Sequence, residues 1–192
     1  MIAAIILAAG QSKRMGQPKM LMPWGESTVL HTVIATFRSA GVDDILVVTG
    51  AGHERVEELV GDSAQTVFNA GYERGEMLSS VQAGLAVQSP GSDAVLIGLG
   101  DQPQVKAVTI QRLLEAHAQA GSSIIIPSCQ NHRGHPWLVA RAHWDEVLRL
   151  HPPETMRQFL NRHITEIHYI ESADSSVLAD LDTPDDYLKY RP

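Results

Sequence analysis

The chain has 192 residues, 44% of them hydrophobic and 19% charged. That composition excludes a disordered chain and suffices for one domain, 1–192, with a real core. The formal charge is −7 and there is one cysteine, Cys129. The charge argues against nucleic acid or an anionic membrane as partner, and the lone thiol excludes an intrachain disulfide, a Cys-rich zinc site and a CxxC redox motif.

Short apolar runs alternate with helical patterns. Ile2–Leu7 is a continuous apolar run broken by Gly10. It lacks a basic start and is too short to span a bilayer, so it reads as a buried first strand of a cytoplasmic protein rather than a leader. Val29, Leu30, Val33, Ile34 and Phe37 follow helical spacing, with Ser27 as expected N-cap and Gly41 as stop. Ile45–Val48 and Thr66–Phe68 read as strands around a short helix at Arg55–Val60. Met77–Val87 reads as a helix, Ala94–Leu99 as a buried strand, and Val105–Ala120 as a helix closed by Gly121. Ile124–Ile126 is a strand expected to halt at Pro127. Beyond Gly134 come a strand at Trp137–Val139, helices at Arg141–Leu150 and Glu154–Arg162, and a strand at Ile167–Ile170. Thr183-Pro184-Asp185-Asp186 has an N-cap, a proline at the first helical position and a capping-box partner. Apolar strands separated by helices predict an α/β fold: a mostly parallel sheet with helices on both faces.

Ligands of such sheets sit beyond the carboxyl ends of the strands. The first loop there carries Lys13, Arg14 and Lys19, and no carboxylate precedes Glu26. Gly10 and Gly16 allow the tight turns of a phosphate cradle, and Arg14 and Lys19 supply charge for a polyphosphate. Both are expected in a polar, solvated loop. The plain alternative is a turn with two incidental basic residues. The phosphate loop of the Walker type fails, because the position five after Gly10 is Met15. The dinucleotide fingerprint fails at Arg55, and the nucleophile elbow fails at Arg14.

Asp101 follows the strand Ala94–Leu99 within Gly100-Asp101-Gln102-Pro103. A carboxylate held there suits a hard cation, and magnesium favours one or two carboxylates plus waters and phosphates. Asp182 is the natural second ligand. Each has a bland alternative, a turn-stabilising aspartate and a cap neighbour.

The run Leu7-Ala8-Ala9-Gly10, followed by Arg14-Met15-Gly16 and Lys19, matches the opening loop of nucleotidyltransferases. With Gly100-Asp101-Gln102-Pro103, Gly134-His135-Pro136 and Leu181-Asp182-Thr183-Pro184-Asp185-Asp186, it resembles the molybdenum cofactor nucleotidyltransferases over essentially the whole chain. Asn69 to Ser80 is similar to that family's N-x-x-W-x-x-G-M-x-x-S segment, with Tyr72 in place of Trp and Glu76 inserted before Met77. Within the family, Ala9 is similar to the cytidylyltransferase branch, where the guanylyltransferase branch has Gly.

The resemblance implies a single-domain Rossmann-like nucleotidyltransferase fold. It also implies transfer of CMP from CTP to the phosphate of molybdenum-molybdopterin, with Mg²⁺ and release of pyrophosphate. Arg14, Lys19 and Asp101 are then catalytic, and Asp101 and Asp182 hold the metal. Leu7, Ala8, Ala9, Gly10, Ser79 and Ser80 join Arg14 and Lys19 in binding nucleotide, and His135 contacts the acceptor. Molybdoenzyme apoproteins or their chaperones are the expected protein partners. His132 and His135, three apart, lack a third metal ligand, and packing is the expected role of Trp24, Trp137 and Trp144. The rival readings are a guanylyltransferase of the same pathway, another small phosphate-acceptor nucleotidyltransferase, and a maturation module that binds nucleotide or cofactor without turnover.

Overall fold

The computed structural model describes residues 1–74, 77–121 and 123–192. In chain order the elements are β1 (Ile2–Ala8), β2 (Pro23–Trp24), β3 (Ser27–Thr28), α1 (Val29–Ser39), β4 (Ile45–Thr49), α2 (His53–Val60), β5 (Gln65–Phe68) and α3 (Met77–Val87). There follow β6 (Ala94–Leu99), α4 (Ala107–Ala120), β7 (Ile124–Cys129), β8 (His132–Arg133), β9 (Trp137–Ala140), α5 (Trp144–Arg149), α6 (Met156–Arg162), β10 (Ile167–Glu171) and α7 (Pro184–Tyr190). Among the described residues, an eight-stranded sheet runs β10-β7-β9-β6-β1-β4-β5, with β8 paired to β7.

β1 lies in the middle because its side chains are buried on both faces. Alternate residues serve two cores, as a strand's two-residue period demands. Ala3, Ile5 and Leu7 face one core with Leu78, Val81, Val147, Phe159 and Leu160. Ala4, Ile6 and Ala8 face the other with Leu30, Ile34, Phe37, Ile110 and Leu113. α3, α5 and α6 therefore cover one face, and α1 and α4 the other. The tryptophans Trp24, Trp137 and Trp144 are buried, as expected of packing residues.

Several local expectations are corrected. The N-cap of α1 is Thr28, whose hydroxyl accepts from His31 N, and not Ser27, which pairs with Trp24. Strand β7 continues through Pro127 to Cys129. Its antiparallel pairing with β9 covers only Ile124 and Ile125, so the proline follows the last of those pairs. The expected helix at Arg141–Leu150 is a 3₁₀ turn at Arg141–His143 followed by α5. The next helix starts at Met156, because Thr155 and Gln158 form a capping box. β9 runs antiparallel to both β6 and β7, so the sheet is mixed.

All strands of this sheet except β8 and β9 run in one direction. The loops after β1, β4, β5 and β6 therefore emerge at the same edge. This parallelism, which no single segment encodes, collects the polar loops into a cleft.

Candidate active site

The cleft has a volume of about 440 Å³ and lies beyond the ends of β1 and β6. Arg14, Lys19, Asp101 and Asp182 all line it, although up to 168 positions separate them in sequence. The loop after β1 turns through Ser12, which adopts a left-handed φ of 50° and accepts from Met15 N and Gly16 N. Ser12 Oγ also accepts from Lys19 N at 3.2 Å, which anchors the far end of the loop.

Lys19 is the centre of the site. Its ammonium pairs with Asp101 Oδ2, and reaches Asp182 Oδ1 at 3.3 Å. Arg14 donates to the other oxygen of Asp182 at 2.8 Å. Lys19 is only 8% exposed, which corrects its expected place in a solvated loop. The 3₁₀ turn Lys19–Leu21 packs its Met20 into the α1-side core, and Lys19 is carried in with it. Arg14 meets the expectation, with a side chain 69% exposed. Burial alone pulls the Lys19 pKa down, but Asp101 and Asp182 outweigh it and the net shift is upward.

A third carboxylate, Asp180, also lines the cleft and was not singled out from sequence. Burial, then the negative charge of Asp101, raises its pKa. Gln102 donates to Asp180 Oδ1 at 2.8 Å, and Leu181 N donates to Asp101 O at 3.1 Å. These bonds tie the segment before α7 to the turn after β6. The signal that was available is the Asp180-Leu181-Asp182 alternation, which in an extended segment puts both carboxylates on one side.

The remaining predicted positions are distributed as follows. Leu7, Ala9, Gly10 and Ser80 line the cleft, whereas Ala8 points into the α1-side core and Ser79 is not part of the lining. Leu7 O accepts from Gly100 N at 2.9 Å and Ala9 O from Ala51 N at 3.3 Å, so neighbouring turns hold the backbone of this strand end. A Cβ on Gly50 would stand 2.6 Å from Ala9 O, so only glycine permits this approach. Gly75 and the inserted Glu76 lie outside the described residues.

Asn69 has a role that sequence reading did not assign. It is buried, donates to both Ser79 Oγ and Ser80 Oγ at 3.0 Å, and accepts from Gly71 N at 2.9 Å. It thereby holds the start of α3 against the turn carrying Tyr72. Asn69→Ala should lower stability by about 1–3 kcal/mol, because buried partners lose their bonds together. A urea unfolding midpoint unchanged from the parent would contradict this.

His135 stands at the same sheet edge, before β9, but is not part of the cleft lining. Its ring stacks on Trp137 at 4.3 Å, and its backbone N donates to Val177 O at 3.0 Å. Burial lowers its pKa to about 3, so the ring is neutral at ordinary pH. Its Nε2 is buried with no hydrogen-bond partner among the described residues.

An α/β sheet whose first loop sets basic side chains against Asp101 after β6 and Asp182 before α7 is suited to a nucleotide phosphate beyond the strand ends. Comparison with known proteins agrees: the MobA-like NTP transferase domain matches residues 4–167. The chain belongs to that family and is a nucleotidyltransferase. It is 32% identical over 189 residues to the molybdenum cofactor cytidylyltransferase of Escherichia coli K12, covering 97% of this chain and 94% of that one. It is 30% identical over 196 residues to the nicotine blue oxidoreductase of Paenarthrobacter nicotinovorans, covering 95% and 92%. The crystal structure of Rv0371c from Mycobacterium tuberculosis H37Rv superposes with a TM-score of 0.86 at 28% identity, covering 98% of this chain and 96% of that one. That protein has also been solved as a complex with manganese.

Proposed function

We propose that the chain transfers CMP from CTP to the terminal phosphate of molybdenum-molybdopterin, with release of pyrophosphate. The observation that carries this reading is the convergence of Arg14 and Lys19 with Asp101 and Asp182 in one cleft. Identity to the E. coli cytidylyltransferase and the Ala9 of the opening loop support the choice of cytidine and acceptor.

In this reaction an acceptor phosphate oxygen forms a bond to the α-phosphorus of CTP. The bond from that phosphorus to the bridging oxygen breaks, and pyrophosphate leaves with the electron pair. The nucleophile is already an anion, so no side chain need remove a proton. Catalysis reduces to positioning and charge neutralisation. Arg14 and Lys19 bind the triphosphate and offset charge on the departing pyrophosphate. The backbone of Leu7, Ala8, Ala9 and Gly10 approaches the base, and Ser79 and Ser80, held by Asn69, orient the nucleotide.

The donor set suits a hard divalent cation. Asp101 and Asp182 reach one common point, now taken by the Lys19 ammonium, and Asp180 adds negative charge behind them. These are oxygen donors on an open cleft, as Mg²⁺ requires. Bound Mg²⁺ would be held by Asp101 and Asp182 and would supply charge neutralisation at the phosphate oxygens. Lys19 is then free to turn from the carboxylates toward the nucleotide. His135 serves the acceptor side as a neutral group, since its Nε2 has no hydrogen-bond partner among the described residues. No helix among the described residues is long and apolar enough to cross a membrane. In this reading the enzyme works in the cytoplasm and passes its product to molybdoenzyme apoproteins or their chaperones.

The test is pyrophosphate release from CTP, GTP, ATP and UTP with Mg²⁺ and molybdenum-loaded molybdopterin. CTP should be used best, and equal or better use of GTP would overturn the cytidine assignment. Ala9→Gly should weaken the preference by at most about 1–3 kcal/mol, the worth of a small apolar contact.

Arg14 and Lys19 should separate in their effects. Arg14→Ala should raise the KM for nucleotide and leave stability within about 0.5 kcal/mol, because its side chain is exposed. Lys19→Ala should impair turnover and also cost about 2 kcal/mol, because mostly buried carboxylates lose a charged partner. Equal melting temperatures for the two variants would count against the central place given to Lys19.

A further inference from the structure

We propose that His143, His163 and Glu166 form a binding site for a zinc-type divalent cation at the sheet edge opposite the nucleotide cleft. The strand directions place it there. His143 follows the end of β9, which starts at the cleft edge, and Glu166 immediately precedes β10, which ends at that edge. The site is thus separate from Asp101 and Asp182.

One ligand atom from each of the three side chains can be chosen so that all lie within 4.8 Å of one another. His143 Nε2 stands 3.8 Å from Glu166 Oε2. Two ligands of one tetrahedral zinc, at bond lengths near 2.0–2.1 Å, stand about 3.4 Å apart. His143 and Glu166 must close by about 0.4 Å, and the widest pair by up to about 1.4 Å, to hold one cation. The second, independent observation is the state of His143. Its side chain is only 8% exposed, and its Nε2 is buried without a hydrogen-bond partner among the described residues. A buried polar atom left unbonded beside a carboxylate is costly to the fold, and a cation between them removes that cost.

The surroundings of His163 complete the arrangement. Its Nδ1 meets Glu166 Oε1 at 2.7 Å, and its Nε2 meets Glu146 Oε2 at 2.7 Å. Glu146 is in turn held by Arg162, whose Nη2 donates to Oε1 at 3.1 Å. A carboxylate that accepts from one ring nitrogen leaves the other to face the metal, the usual second support of a metal-bound histidine. Binding would displace the proton between His163 Nδ1 and Glu166 to solvent. The cation would then clip the turn before α5 to the chain between α6 and β10.

The experiment uses the whole chain, freed of metal with a chelator, and titrated with Co²⁺ and then Zn²⁺. Co²⁺ should give the intense visible absorption of a tetrahedral site, and Zn²⁺ should displace it at one equivalent. His143→Ala and Glu166→Gln should each weaken binding by at least about 10-fold, and Glu146→Gln by about 10–100-fold. Zn²⁺ should raise the Tm of the parent and not of His143→Ala, whose far-ultraviolet circular dichroism without metal should match the parent. His143→Asn provides the same test should the alanine variant fold poorly. The proposal is overturned if the parent gives no tetrahedral Co²⁺ spectrum, or if parent and variants bind Zn²⁺ alike.

Discussion

Asp101→Ala should lower kcat by about 10³-fold while the protein stays folded. That factor corresponds to about 4 kcal/mol of transition-state stabilisation, within the range for a phosphate-bridging cation. Asp101 sits in the turn that ends β6, and its carboxylate meets Lys19 where Asp182 also arrives. Removing it deletes one of the two proposed metal ligands and loosens Lys19 together. Lys19 retains Asp182 at 3.3 Å, so the buried ammonium is not left without a partner and the fold should survive. Asp101→Asn, which keeps the shape and removes the charge, should lose nearly as much activity. Raising Mg²⁺ should recover part of the loss in either variant. Pyrophosphate release within tenfold of the parent, by a protein with an unchanged melting temperature, would defeat the assignment of Asp101.

Gly134→Ala should destabilise the protein by about 3 kcal/mol or more, because it overpacks a contact with no room to yield. A Cβ at this position would stand 2.6 Å from Val177 Cγ2 and 2.7 Å from Val177 O. The valine methyl can rotate away, but Val177 Cβ, also at 2.7 Å, and the carbonyl, which accepts from His135 N, are fixed by the backbone. Relief therefore requires moving the Ser175–Leu178 turn. That turn leads directly to Asp180 and Asp182, so catalytic activity should fall with stability. Urea unfolding measures the first effect. Combining the change with Val177→Ala tests its cause: the pair should recover only part of the loss, since the contacts with Val177 Cβ and the carbonyl persist. Full recovery would place the strain in the valine methyls alone, and no loss from Gly134→Ala itself would refute the close approach.

The residues of the cleft were legible to different degrees. Arg14, Lys19, Asp101 and Asp182 each lie in a short motif whose residue types serve phosphate or cation chemistry, so local sequence pointed to them. Lys19 was nevertheless expected in solvent, because burial depends on what folds over a residue and not on its neighbours in sequence. Asp180, Asn69 and the His143–His163–Glu166 cluster carried weaker signals. An isolated aspartate or asparagine has many roles, and histidines 20 positions apart meet only when a sheet brings their loops together.

By itself, the sequence determined the alternation of strands and helices, the caps at Thr183 and Asp186, and the chemistry of the loop after β1. These depend on contacts between residues a few positions apart. Tertiary structure alone decided that β9 inserts antiparallel between β6 and β7, and that β7 passes through Pro127. It also decided that Asp182 reaches back across 163 positions to Lys19. Such pairings arise from burying both faces of the sheet at once, and their free energy exists only when distant segments meet.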